Sequence, residues 1–228
     1  MIRSIFSMFF FFISIVFFAF LCILLSFLPG LSPSTLGIRS FGKTVLWFAG
    51  IKLKVKGLEN IDPKRPAIYM ANHTTVLDIP ILVAALPVDI RFIFKKSLAY
   101  IPIVGWAMML TGMVPIERGT KGPALKSLRV AANKIKKGMH VIIFPEGTRT
   151  RTGKLGKLKK GGFLLASLSE TAIVPVHISD TSHLCKRNIP LIKPGHLTVT
   201  IHPAIIPDSN TKMTSRDNID IVESLLKQ

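Results

Sequence analysis

The chain has 228 residues, enough for one core of ordinary domain size and few for two independent cores. Thirty Lys and Arg residues against 12 Asp and Glu give a net charge of +18, which favours anionic partners such as phosphorylated substrates, nucleic acid or an anionic membrane. Only two cysteines, Cys22 and Cys185, are present, so no disulfide framework is expected.

An apolar, Phe-rich segment opens the chain. It carries no charge from Ile5 to Leu28, and as a helix it would reach about 36 Å, longer than a ~30 Å hydrocarbon core. A cleaved signal peptide is the alternative, because Arg3 gives a basic start. The segment exceeds the usual apolar length of about 7–15 residues and lacks an Ala-x-Ala site. We therefore expect a membrane-anchoring helix over residues 5–28.

A second helix is predicted over residues 35–48. Its apolar residues recur every three or four positions, and Arg39 and Lys43 lie on the other side. With Trp47, this amphipathic helix could lie in the headgroup layer or cover the soluble core. The apolar first segment, 5–28, could span the membrane or dip in and return, because the flanking charges give no clear orientation. We divide the chain into a membrane-associated helical segment, 1–50, and a catalytic domain, 51–228.

The rest of the chain alternates strand-like and helix-like stretches. Strict alternation of apolar residues with lysines predicts an outer strand at 51–56. Short apolar runs bounded by turn residues predict strands at 67–71, 91–94, 113–116, 141–144, 173–178 and 197–201. The clearest helix runs from Pro123 to Lys137, with Gly138 as its stop. This alternation predicts an α/β fold with a largely parallel sheet flanked by helices, whose sites form outside the carboxyl ends of the strands.

A polar stretch from Asn72 to Asp78 follows the second strand. His73 and Asp78 are five residues apart and would lie about 140° apart on a continuous helix, so a turn must separate them if they are to meet. If the helix begins near Asp78, its carboxylate can orient the imidazole and leave His73 as a general base. Alternatively, Asp78 caps a helix that has Pro80 in its first turn, and His73 is a turn residue.

Two further polar stretches follow predicted strands. Phe144–Arg149 supplies the carboxylate of Glu146, a flexible backbone at Gly147 and the guanidinium of Arg149, which suits a polyol beside a phosphate. The stretch Gly112–Gly119 carries a charged pair, Glu117 and Arg118, directly after the predicted strand, and Arg118 could make a bidentate contact with phosphate. A surface Glu–Arg pair is the alternative reading of that second stretch.

In this order the motifs resemble the lysophosphatidic acid acyltransferase family of glycerolipid acyltransferases. The resemblance covers roughly Leu53 to Ile206, and it is specific because His-x4-Asp precedes Phe-Pro-Glu-Gly-Thr-Arg by about 70 residues. The strand ending at Arg118 is similar to the second family block, and Val174-Pro175-Val176 to the fourth. Thr75 replaces a common Ser, and Glu117 replaces a frequent Asp.

The resemblance implies transfer of a fatty acyl group from acyl-CoA or acyl-acyl carrier protein to the 2-hydroxyl of 1-acylglycerol 3-phosphate, giving phosphatidic acid without a further cofactor. It implies His73 as base, Asp78 as the residue that holds its tautomer, and Arg118 on the acceptor phosphate. Arg149 would assist, and the Glu146–Thr148 stretch (Glu146, Gly147 and Thr148) would bind the glycerol. Neither cysteine is near a motif and no Gly-x-Ser-x-Gly elbow exists, which favours direct transfer.

Several alternatives concern the substrate and the partners. The acceptor could be another lyso-lipid, such as a lysophospholipid with a larger headgroup or a lyso-amino-lipid. A basic run, Lys154, Lys157, Lys159 and Lys160, could meet lipid headgroups, an acyl carrier protein or nucleic acid. We expect no nucleic acid partner, because few aromatic residues accompany these lysines. The segment that begins at Lys95-Lys96 is also similar to the family.

We expect no metal site and a membrane location. His177, His183, Cys185 and His196 match no zinc spacing, so no metal site is expected. The resemblance implies a membrane-bound protein with lysophosphatidic acid, an acyl carrier and membrane lipids as partners. Its catalytic domain would face the cytosol, where acyl thioesters are made.

Overall fold

A computed structural model describes residues 2–28, 34–117, 121–150, 153–179, 181–185, 191–206, 214 and 216–227. The α-helices are α1 (Ile2–Leu25), α2 (Arg39–Ala49), α3 (Asp78–Ala85), α4 (Val104–Leu110), α5 (Lys121–Lys136), α6 (Lys160–Ser169) and α7 (Arg216–Leu226). The strands are β1 (Ile51–Lys56), β2 (Ala67–Ala71), β3 (Ile90–Lys95), β4 (Val114–Ile116), β5 (His140–Ile143), β6 (Ala172–Ile178) and β7 (Gly195–Ile201). Short 3₁₀ turns cover Leu58–Asn60 and Lys96–Tyr100.

The strands form one seven-stranded sheet in the order β1-β7-β6-β2-β5-β3-β4. All neighbouring strands are parallel except β6 and β7, which are antiparallel. The predicted α/β fold with a largely parallel sheet is confirmed. Strands β2 and β5 are neighbours near the middle of the sheet, so the polar stretches that follow them leave the same edge.

Helices cover both faces of the sheet. Strand β2 is buried throughout, and its side chains alternate: Tyr69 packs with the core under α1, α2 and α3, while Ile68 and Met70 pack with the core under α5, α6 and α7. This burial on both faces explains why the sequence shows continuous apolar runs for the central strands.

The two N-terminal helices pack against each other and against the domain. Helix α1 ends at Leu25, three residues before the predicted end. Beyond it the backbone tightens to i→i−3 hydrogen bonds, in which the N–H groups of Phe27 and Leu28 donate to the carbonyls of Leu24 and Leu25. Phe10 of α1 stacks on Phe48 of α2 with ring centroids 3.7 Å apart. By length and composition, Phe6–Leu25 could cross a membrane.

The predicted amphipathic helix begins as a π-helical turn, Ser34–Ile38, and continues as α2. Its buried residues Val45 and Leu46 join the core, so this helix does cover the domain. Trp47 on its other side is 78% exposed, which leaves an aromatic side chain available to a headgroup layer. The division of the chain into a membrane-associated segment, 1–50, and a catalytic domain, 51–228, remains a prediction.

Candidate active site

The two motif loops meet at the carboxyl edge of neighbouring strands. His73 comes two residues after the end of β2, and Glu146 comes three residues after the end of β5. The parallel pairing of β2 with β5 brings both loops to one edge, where the fold class predicts a site.

The predicted contact between His73 and Asp78 is present. Helix α3 begins at Asp78, and the carboxylate Oδ2 lies 2.8 Å from His73 Nδ1. The same oxygen accepts the backbone N–H groups of Thr74 at 2.6 Å and Thr75 at 2.9 Å. Asp78 is only 1% exposed, so it is a fixed acceptor for the turn and the imidazole together. The carboxylate of Asp78 faces back into the turn that precedes α3, and Leu77 occupies the N-cap position of that helix.

The second carboxylate oxygen of Asp78 is held by hydroxyl groups. Oδ1 lies 3.2 Å from Thr75 Oγ1 and 3.3 Å from Thr181 Oγ1, and both threonines are buried. Sequence reasoning missed Thr181, because it lies 103 residues from Asp78 in a loop without a recognisable motif. The only local signal is its place shortly after the end of β6.

The arrangement defines the hydrogen-bonding role of each imidazole nitrogen. With Asp78 beside Nδ1, that nitrogen carries the proton and donates it, so Nε2 is left as the acceptor. The imidazole stacks on the ring of Phe144, with centroids 3.9 Å apart and planes 14° apart. An imidazole held by a carboxylate and a ring, with Nε2 as its acceptor nitrogen, can act as a general base.

Glu146 holds the backbone of the histidine turn. Its Oε1 accepts the His73 backbone N–H at 2.8 Å, and its Oε2 accepts the Gly156 N–H at 2.7 Å. The Thr150 N–H in turn donates to the His73 carbonyl at 2.9 Å, so residues of the second loop hold both backbone groups of His73. Burial raises the pKa of Glu146, and the two N–H donors partly offset this effect.

The rest of the Glu146–Arg149 loop lies beside the imidazole. Gly147 has φ of 74°, and a Cβ there would lie 2.8 Å from Lys159 Nζ, so the glycine lets the lysine side chain cover the loop. Thr148 is exposed and Arg149 is half-buried. Arg118 lies outside the described residues, and its predicted contact with phosphate stays a prediction.

A cavity of about 880 Å³ opens beside His73. Its polar end contains His73, Thr148 and Arg149 together with the cations Lys95 and Lys159. The apolar part extends to α1 and α2 and is lined there by Phe11, Ile15, Phe18, Ala19, Ile38 and Phe41. The two parts suit a molecule with an anionic head and a long hydrocarbon chain.

Among the described residues, no three His, Cys, Asp or Glu side chains are grouped so that they could hold a metal ion. His177, His183, Cys185 and His196 therefore do not assemble into a site in this part of the chain.

The fold and the site define an α/β protein with a carboxylate-oriented histidine at the mouth of an amphiphilic cavity. A family model described as Acyltransferase matches residues 52–179, and the chain belongs to this family. The resemblance stated from the sequence is thus confirmed at the level of the family.

Individual relatives support the same assignment. The chain is 34% identical to a chloroplastic 1-acyl-sn-glycerol-3-phosphate acyltransferase of Arabidopsis thaliana over 76% of this chain and 49% of that protein. It is 32% identical to a 1-acyl-sn-glycerol-3-phosphate acyltransferase of Borreliella burgdorferi over 74% of this chain and 67% of that protein. The chain spans about half the length of three relatives, those of Arabidopsis thaliana, Chlamydomonas reinhardtii and Brassica napus.

A solved structure has the same overall fold. The crystal structure of the 1-acyl-sn-glycerophosphate acyltransferase PlsC from Thermotoga maritima matches with a TM-score of 0.82 and 28% sequence identity. The match covers 99% of this chain and 95% of that chain, so it includes the N-terminal helices as well as the sheet.

Proposed function

We propose that this protein transfers a fatty acyl group from an acyl thioester to the 2-hydroxyl of 1-acylglycerol 3-phosphate, giving phosphatidic acid for phospholipid synthesis. The observation that carries the proposal is the His73–Asp78 pair at the mouth of the cavity, with a 2.8 Å contact between Nδ1 and the buried carboxylate. The names of the relatives support this acceptor.

The chemistry follows from the acceptor nitrogen of His73, Nε2. Nε2 removes the proton from the acceptor hydroxyl as the oxygen attacks the thioester carbonyl, and Asp78 stabilises the imidazolium that forms. The new C–O bond forms and the C–S bond breaks, and the leaving thiolate takes the proton from the imidazolium. The histidine returns to its neutral form, and no covalent enzyme intermediate is required.

The acceptor phosphate needs cations near the base. Arg149, Lys95 and Lys159 line the polar end of the cavity, and a guanidinium can hold phosphate through paired hydrogen bonds. We assign the phosphate to these residues together with Arg118, and we assign the glycerol to Gly147 and Thr148. The net charge of +18 favours the anionic acceptor and an anionic donor as well.

Glu146 has a different role in this proposal from the glycerol contact expected from the sequence. Both of its oxygens accept backbone N–H groups, and the residue is 5% exposed, so few acceptor positions remain for a substrate hydroxyl. We propose that Glu146 positions His73 and contacts the glycerol little or not at all.

The proposed location is a membrane, with α1 as the anchor and the catalytic domain facing the cytosol. The exposed side of α1 is apolar, with Phe9, Phe12 and Phe17 each more than half exposed. Both acyl-CoA and acyl-acyl carrier protein are donors of suitable chemistry. Each is soluble, so either one could reach a site at the membrane surface.

The test offers the purified protein a labelled acyl thioester with three acceptors in parallel: 1-acylglycerol 3-phosphate, glycerol 3-phosphate and lysophosphatidylcholine. Product from the first acceptor alone is expected. Product from lysophosphatidylcholine would move the assignment to another lyso-lipid, and absence of product with both classes of donor would contradict acyl transfer.

A further inference from the structure

The segment between β3 and β4 exposes an unusual amount of apolar surface. No charged side chain lies between Lys96 and Glu117. Six apolar residues of this segment are strongly exposed, with Tyr100 at 74% and Trp106 at 58%; we call them the α4 face. They are Leu98, Tyr100, Ile101, Trp106, Met109 and Leu110. A contiguous exposed apolar patch of this kind marks an interaction surface.

The pattern of α4 is the reverse of that expected for a helix covering a soluble core. Trp106, Met109 and Leu110 have the i, i+3, i+4 spacing of one helix face, and that face points outward. Ala107 and Thr111 are buried on the other side. The large apolar side chains are therefore displayed, and small ones make the internal contacts.

The backbone fixes these side chains in their outward positions. Ile103 has φ of 63° and ψ of −61°, and the Val104 N–H donates to the Pro102 carbonyl at 2.7 Å, which makes a strained γ-turn before α4. Gly105 packs so closely that a Cβ there would collide with the Ala99 carbonyl oxygen. The turn and the close approach hold α4 against the 3₁₀ turn, so the exposed residues cannot fold inward without a backbone change.

The α4 face continues the apolar surface of the N-terminal helix. Ala107 packs in one cluster with Ala19 and Cys22 of α1. Along α1, Phe17 and Phe20 expose 59% and 54% of their surface. The two helices therefore share one apolar outer surface. The α4 face also contains Tyr100 and Trp106, and tyrosine and tryptophan are the residues that prefer the interface between lipid and water.

We propose that the α4 face is inserted in the lipid bilayer beside α1, so that the catalytic domain has a membrane contact of its own. This inference rests on the proposed membrane anchoring. The inner side of the same segment, with Val104, Ala107 and Met108, lines the cavity beside His73. The segment therefore separates the lipid from the cavity.

The two tryptophans, Trp47 and Trp106, allow a direct test. Trp47→Phe leaves Trp106 as the single reporter, and Trp106→Phe leaves Trp47. Each full-length variant is reconstituted into vesicles of phosphatidylcholine and phosphatidylglycerol, some with brominated acyl chains. Trp106 emission is expected to be blue-shifted, quenched by the brominated lipid and protected from aqueous iodide. Vesicle-bound protein with Trp106 quenched by iodide and not by the brominated lipid would overturn the inference and leave the α1 anchor intact.

A functional arm uses Leu110→Asp, since Leu110 is 50% exposed and does not line the cavity. Transfer to an acceptor embedded in vesicles is expected to fall at least about tenfold, because the variant loses the favourable free energy of burying one leucine side chain. Transfer to the same acceptor in detergent micelles should change little. Val130→Asp on α5, where the valine is 52% exposed, is the matched control and should change neither rate. Equal loss in vesicles and micelles would contradict the inference. Inactivity of the unmodified protein would contradict the proposed function alone, because the fluorescence test does not depend on turnover.

Discussion

The carboxylate of Glu146 accepts the backbone N–H of His73 at 2.8 Å, although the two residues are 73 positions apart. This contact joins the two motif loops into one unit, and the Thr150 N–H to the His73 carbonyl at 2.9 Å completes it. The position of the imidazole therefore depends on the second loop as well as on its own turn.

Replacing Glu146 by Gln tests this positioning role. Glutamine has one acceptor oxygen where glutamate has two, so the N–H of His73 or of Gly156 loses its partner, which costs about 1–3 kcal/mol for a buried group. We expect kcat to fall about 10- to 100-fold, since small displacements of a catalytic group have effects of this size, with little change in the acceptor KM. Steady-state kinetics with a thermal unfolding curve measure both effects.

Glu170→Gln provides the control, because Glu170 is exposed and paired with Lys136. A rise in the acceptor KM at constant kcat in Glu146→Gln would instead support the glycerol contact expected from the sequence.

Replacing Asp78 by Asn should remove the orientation of His73. The amide can place a donor where the carboxylate accepts three hydrogen bonds at Oδ2, and the imidazole then takes the wrong tautomer. The comparable change in a Ser-His-Asp triad lowers kcat about 10⁴-fold, and we expect a loss of that order in a transfer assay.

The double variant His73→Ala with Asp78→Asn should be no slower than His73→Ala alone, because the two residues act as one unit. Additive losses would show that Asp78 acts independently of His73. Asp62→Asn serves as the control, since Asp62 pairs with Arg65 at the exposed surface.

Filling the cavity should change the preferred acyl chain. Ala107 is buried and lines the apolar part, so Ala107→Phe removes space that a long chain would occupy. Each methylene that loses its apolar surroundings costs about 0.8 kcal/mol, and we expect transfer of long chains to fall about tenfold relative to short ones. Competition between acyl thioesters of several lengths measures the shift. An equal loss at every length would place the acyl chain elsewhere.

His140 should make the fold sensitive to acid. Burial lowers the pKa of His140 below its ordinary value of 6.5, so the unfolded chain binds more protons between the two values and stability falls as the pH falls through this window. His140→Phe keeps a ring near Tyr69, whose centroid lies 6.0 Å away, and removes the titration. Between about pH 7.5 and 5.5 the variant should lose less stability than the unmodified protein.

Burial also lowers the pKa of His177 and of His202, so part of the acid sensitivity should remain in the variant. Identical losses with and without His140 would contradict its contribution. Melting temperatures in one detergent at both pH values give the comparison.

The sequence predicted the strands well. The central strands are short apolar runs with turn residues at their ends, and β1 alternates between apolar residues and lysines. The His73–Asp78 contact was predicted through the family resemblance, since the residues alone left open that Asp78 only caps the helix. The antiparallel pairing of β7 with β6 was not predicted, because no local pattern specifies that β7 inserts between β1 and β6 or the direction in which it runs.

The roles within the Glu146–Arg149 loop were harder to predict. A carboxylate beside an arginine in a loop suggests a ligand contact. Its actual partners, the N–H groups of His73 and Gly156, are backbone groups that no sequence pattern marks. The contacts of Thr181 with Asp78 and of Phe144 with His73 were also not predicted, because they arise from tertiary packing alone.

The proposed role of His73 is tested most directly by the rate of acyl transfer to 1-acylglycerol 3-phosphate by the purified protein and by its His73→Ala variant, with the melting temperature of both. We expect the unmodified protein to form phosphatidic acid and the folded variant to lose nearly all activity. A folded His73→Ala variant with an unchanged rate would contradict this role.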